Sequence, residues 1–173
     1  DPAQLRVMSD LVRRGNLDQL TDPAFRRELV SWIRFNPRAA MATGDGLAGR
    51  ATGQPSVPTW LGTGLQRLLV SARKQAELDD ERLASSAGVA LIVTPADGIA
   101  EWVDAGRAYQ RFALRAEALD IRTAFVNQPI EVPALRQELE SSFDLAGERA
   151  QLAIRFGHGA KLPYSLRRSS NEV

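Results

Sequence analysis

Nearly all the basic side chains in this 173-residue sequence are arginines, with only Lys74 and Lys161 as lysine. Arg167 and Arg168 stand side by side, followed by Ser169 and Ser170. Two guanidinium forks beside two hydroxyls suit a phosphate group, and an ordinary basic tail has the same composition. His158 is the only histidine. It sits between Gly157 and Gly159 with no carboxylate assigned to it, so it reads as a turn residue, and Ser-His-Asp catalysis has almost no support. Asp79, Asp80 and Glu81 are consecutive on a helical segment, so their carboxylates point apart and read as a solvated surface rather than a metal site. Arg107, Arg111 and Arg115 lie about one helical turn apart. That stripe reads as a solvated face flanked by Asp104 and Glu117, or, functionally, as a surface for an anion or acidic partner. Gly44-Asp45-Gly46 and Gly62-Thr63-Gly64 do not follow strands, so neither is a dinucleotide fingerprint. The absence of cysteine excludes disulfides, thiolate catalysis and Cys-ligated metals.

The elements that must position these residues are organised around 94–128. A strand-like run, 89–94, leads into a long helix, and a second short strand, 122–126, follows. Thr94 is expected to cap the helix, with Pro95 in its first position and Asp97 completing a capping box. Trp102, Gly106, Tyr109, Ala113 and Ala116 recur at spacings of three or four and are expected to share one closely packed face. Upstream, the spacing predicts a helix over 1–14 stopped by Gly15-Asn16, and a second over 24–35 opened by Thr21-Asp22-Pro23. Residues 38–58 are rich in Gly and Pro and read as an irregular loop, either a lid or a connection. A helix over 59–82, a helix over 133–143 and a strand over 149–156 complete the chain. In that last strand Gln151, Ala153 and Arg155 share one face, and Leu152, Ile154 and Phe156 the other.

Hydrophobic residues are 44% and charged residues 25%, a globular balance that supports one ordinary core. The net charge is +1, which gives no global electrostatic case for nucleic acid or an anionic membrane. No apolar run has the length of a membrane-spanning helix, and the expected compartment is the cytoplasm. The chain opens on Asp1, as a processed or excised piece would.

The ordered set Glu101-Trp102, Gly106, Gln110, Leu114, Ala116, Leu119-Asp120 and then Ala124-Phe125-Val126-Asn127-Gln128-Pro129 resembles the C-terminal part of the flavin-dependent nitroreductase family. The run PAFRRELVSWIRFNP, the Gly44 to Arg50 segment and RFGHG followed by Arg167-Arg168 make it most similar to the Acg-type putative nitroreductases. The resemblance covers most of the chain. It implies an α+β nitroreductase-like fold, a mainly antiparallel sheet flanked by helices. Residues 1–58 would be a helical segment with a glycine-rich lid or connecting loop, and 59–173 an FMN-binding half.

By the same resemblance, Asn127 and Gln128 would contact the flavin ring, and Arg167 and Arg168 would bind the FMN phosphate. NAD(P)H would be the reductant and a nitroaromatic or quinone the small-molecule substrate, with the flavin carrying the chemistry. The partner would be a second nitroreductase-like half or a second copy in a homodimer. Two departures stand out: Asp120 replaces a frequent Gly, and Pro129 removes a backbone donor. The family's N-terminal flavin-phosphate segment has no counterpart in these residues, which implies a C-terminal fragment or a partner half elsewhere. Two other readings stay open, a non-catalytic flavin-binding or flavin-storing protein whose lid covers the ring, and a partner-binding fragment without flavin.

Overall fold

The computed structural model describes residues 1–52, 58, 72–145 and 147–164. The chain is α+β and divides into two units, Asp1–Gln19 with Ala72–Gly159, and Leu20–Ser71 with Ala160–Val173.

The first unit is built on a small antiparallel sheet. Its strands are β3 (Gly88–Thr94), β4 (Arg122–Phe125) and β5 (Arg149–Gly157), in the order β3-β5-β4. β5 runs antiparallel to both neighbours, so β3 and β4 are parallel to each other across it. Helix α5 (Ile99–Ala118) connects β3 to β4; the short α6 (Gln128–Glu131) and α7 (Pro133–Ser142) connect β4 to β5. The core joins Met8, Leu11 and Val12 of α1 (Pro2–Thr21), Leu83 of α4 (Ala72–Ala84), Leu135 and Leu139 of α7, and Ala150 and Ala153 of β5. Ala153 and Phe156 lie on opposite faces of the strand. On the Phe156 face, α5 packs Phe112 edge-on to Phe156 at 6.2 Å and Tyr109 against Phe125 at 4.7 Å.

The helix expected over 1–14 does not stop at Gly15-Asn16 but runs on to Thr21. Gly15 serves close approach instead: a Cβ there would lie 2.7 Å from the Gln128 Cβ and 2.9 Å from its backbone carbon. Thr94 does not cap α5. The N-cap is Gly98, while Thr94 ends β3, buried, with its hydroxyl donating to the Ala96 carbonyl. The inward face of α5 also differs from the expected one. Ala105 and Ala116 are buried, Trp102 is 55% exposed, and a Cβ on Gly106 would touch nothing. The rings of Tyr109 and Phe112 take the sheet. With Ala105 and Ala116, they set a face rotated away from Trp102 and Gly106.

At the far end of α5 the Asp120 departure is accommodated. Asp120 adopts a left-handed conformation, φ 57°, with its N–H donating to Glu117 and that of Ile121 donating to Ala116. These two bonds close the helix as a Schellman motif. In β5 the pairing shifts between Ile92 and Val93, which face Leu152 and Ala150. Gln151 therefore bulges out of the ladder, and the simple alternation expected from 149 onward holds only after it.

In the second unit Asp22 caps α2 (Pro23–Trp32), accepting from the Ala24 N–H at 2.8 Å, and Pro23 fills the first position. Residues 38–58 are not wholly irregular. Asn36 caps α3 (Pro37–Thr43), Gly44 closes it at φ 63°, and β2 (Leu47–Ala48) pairs in parallel with β1 (Ile33–Arg34). A short 3₁₀ turn, Gly49–Thr52, follows. Arg34 clasps the segment, donating to Asp45 at 2.6 Å, to the Thr43 hydroxyl at 3.0 Å and to the Ser31 carbonyl at 2.6 Å. The helix expected over 59–82 is described only from Ala72, and its earlier part lies outside the described residues.

Candidate functional site

Asn127 and Gln128 stand where β4 ends and α6 begins, and tertiary bonds fix both. The Val126 N–H donates to the Ala153 carbonyl at 2.9 Å, and the Asn127 side-chain oxygen accepts from the Ala153 N–H at 2.9 Å. The carboxamide thus completes the ladder where β4 leaves it. Gln128 donates to the Asn16 side-chain oxygen at 3.2 Å, and its own amide oxygen is buried with no hydrogen-bond partner among the described residues. Asn16 is 3% exposed and donates in turn to Asp79 at 3.0 Å. Asp79 also accepts from Gln75 at 3.0 Å and Arg82 at 3.1 Å.

Asp79 therefore belongs to a buried polar chain linking α1, α4 and α6, not to the solvated surface expected of it. The signal for this lay in the pairing of Gly15 and Asn16: a residue with no side chain beside a small polar one. It is recognisable only once Gln128 is seen packed against them.

As a test of the flavin expectation, the two side-chain amides do not fit a ring contact, because both point into the fold. What they fix is the backbone of the turn. Arg167 and Arg168 lie outside the described residues.

A second cluster, not foreseen in the sequence, centres on Asp97. Its carboxylate accepts from the Trp102 indole N–H at 2.7 Å, from Arg136 at 2.7 Å and from Gln151 at 3.2 Å. These donors, Trp102 first, favour the charged form and pull the carboxyl from 3.8 down to about 2. Gln151 reaches Asp97 because of the bulge, and it also donates to the Thr94 hydroxyl at 2.8 Å. Arg136 donates from Nε to the Ala150 carbonyl at 2.9 Å. Glu140 accepts from the Ala150 N–H at 3.0 Å and pairs with Arg149 at 3.0 Å. Two carboxylates and two guanidiniums thus bind the start of α5 to α7 and the bulged end of β5. The cluster is balanced in charge and acts as a fastening.

Linkage gives it a pH signature. Because the folded-state value is depressed, the stabilisation is fully present above the unfolded value near 4 and is lost as pH falls through about 2. Between pH 4 and pH 2 the thermal midpoint of the native chain should fall more steeply than that of Asp97→Asn. Parallel midpoint curves would show that Asp97 carries no such coupling.

The remaining sequence candidates lie at the surface. His158 is exposed beyond β5. Arg107, Arg111 and Arg115 are exposed on α5, with Arg107 paired to Asp104 at 3.2 Å. Among the described residues no helix is long and apolar enough to cross a membrane. Comparison with protein-family models, with curated proteins and with solved structures finds no match.

Proposed function

We propose that the chain is one half of an FMN-dependent oxidoreductase of nitroreductase type, using NAD(P)H to reduce nitroaromatics or quinones. The observation that carries the reading is the turn at Asn127-Gln128. It falls at the position the motif order assigns to flavin, and bonds to β5 and α1 hold it rigid. A preorganised backbone is what a ring-binding turn requires. The α+β architecture with a small antiparallel sheet accords with the same reading. The flavin, when bound, would supply the hydride chemistry. This chain's contribution would be to position the turn and, through Arg167 and Arg168, to bind phosphate.

A second half, from another copy or another stretch of protein, fits the uncovered stripe of α5. There Ile99, Trp102, Val103 and Leu114 are 75%, 55%, 49% and 66% exposed around the open Gly106. A contiguous apolar stripe of this kind marks an interaction surface. The same stripe, with the inward-pointing amides, favours a second reading: a partner-binding fragment that takes up no flavin.

A visible spectrum, followed by anaerobic addition of NADPH, separates these readings. A yellow protein that bleaches supports the oxidoreductase, and one that stays oxidised supports flavin storage. A colourless protein that takes up no added FMN, even with its partner half present, leaves the partner-binding reading. In the flavin-binding case, replacing Arg167 and Arg168 together by Ala should weaken FMN binding at least about tenfold. Unchanged affinity by titration removes the pair from the site.

A further inference from the structure

We propose that the hollow between α2 and β2 binds an amphiphilic organic cation, an ammonium group carried on an aromatic or alkyl body. The hollow has a volume of about 460 Å³ and is lined by Phe25, Glu28, Leu29, Trp32, Gly46 and Leu47. That volume lies within the range of small-molecule sites.

One wall is a single helix face. Phe25, Glu28, Leu29 and Trp32 occur at i, i+3, i+4 and i+7, so they project to the same side of α2. Arg26 and Arg27 project elsewhere around the helix by the same geometry. The opposite wall is backbone at Gly46. Its φ is 78°, and a Cβ would lie 2.5 Å from the Trp32 carbonyl oxygen. The Arg34–Asp45 clasp holds that wall in place.

The charge of the lining selects the ligand. Among the described lining residues Glu28 alone is charged, and it has no ion pair among the described residues. Arg34 is turned to Asp45, Thr43 and Ser31 rather than to Glu28. Two aromatic rings, one of them an indole, beside a carboxylate with no ion pair among the described residues attract an ammonium through both the ring faces and the charge. An anion would be repelled, and a neutral apolar molecule would gain nothing from Glu28. The proposal stands apart from the flavin reading in that it uses none of the residues assigned there to flavin or phosphate, Asn127, Gln128, Arg167 and Arg168.

The test is titration of the intact chain with 3-phenylpropylammonium, read by the indole N–H resonances, with Trp32→Phe assigning the signal. The Trp32 resonance should shift and saturate. Glu28 is exposed, so Glu28→Gln keeps the fold, and it should weaken binding about tenfold, as should the neutral 3-phenylpropanol. Equal binding of the neutral alcohol, unchanged affinity in Glu28→Gln, or a Trp32 signal that never moves would each overturn the proposal.

Discussion

Leu139→Ala should lower the unfolding free energy of the chain by about 2–5 kcal/mol, read from a chemical denaturation midpoint at constant slope. Leu139 is fully buried in α7, in the cluster that joins α1, α4 and β5. Truncation removes its transfer energy and leaves a cavity that three separate elements would have to move to fill. The comparison is Leu114→Ala. Leu114 is 66% exposed on α5, so its loss should change stability by no more than about 0.5 kcal/mol. Similar losses at the two leucines would mean that the stripe on α5 is already covered in solution.

Asn127→Ala should destabilise by about 1–3 kcal/mol, because it removes the side-chain oxygen that accepts from the Ala153 N–H, and Ala153 is fully buried. Asn127→Asp keeps an oxygen at the same place and should retain most of the lost stability at neutral pH. If both variants unfold at the wild-type denaturant concentration, the bond to β5 carries no weight and the residue is free for another role. The pair also informs the flavin proposal. A scaffold role predicts that Asn127→Asp keeps any FMN affinity that Asn127→Ala loses.

The local architecture was largely legible. Residues 89–94, 122–126 and 149–156 have the apolar runs of strands, and the structure forms all three with boundaries moved by a residue or so. Asp22-Pro23 opened a helix as cap chemistry requires. The errors cluster where a residue's partner is distant. Gly15 looked like a stop because glycine is a poor helix former; it is kept within α1 by the room it gives Gln128, 113 positions away. Thr94 and Asp97 looked like a capping box because the spacing was right. The Thr94 hydroxyl bonds to the nearby Ala96 carbonyl, and the Asp97 carboxylate is drawn to Trp102 and to the distant Arg136 and Gln151; no short-range pattern foretells the last two.

The sequence by itself determined the period of the longer elements, because alternation and helical spacing are properties of neighbouring residues; the α+β class was expected from the resemblance, and the strand–helix–strand unit alone read as part of an α/β layer. The sequence also determined that thiol chemistry is absent. The tertiary structure alone decided that β5 lies between β3 and β4, that its bulge delivers Gln151 to Asp97, and that the Asn127 and Gln128 amides face inward. Each of these depends on contacts between residues far apart in the chain, whose geometry is set by packing rather than by local preference. The turn after β4 could be located from the order of motifs, but only the fold shows that its side chains brace the backbone.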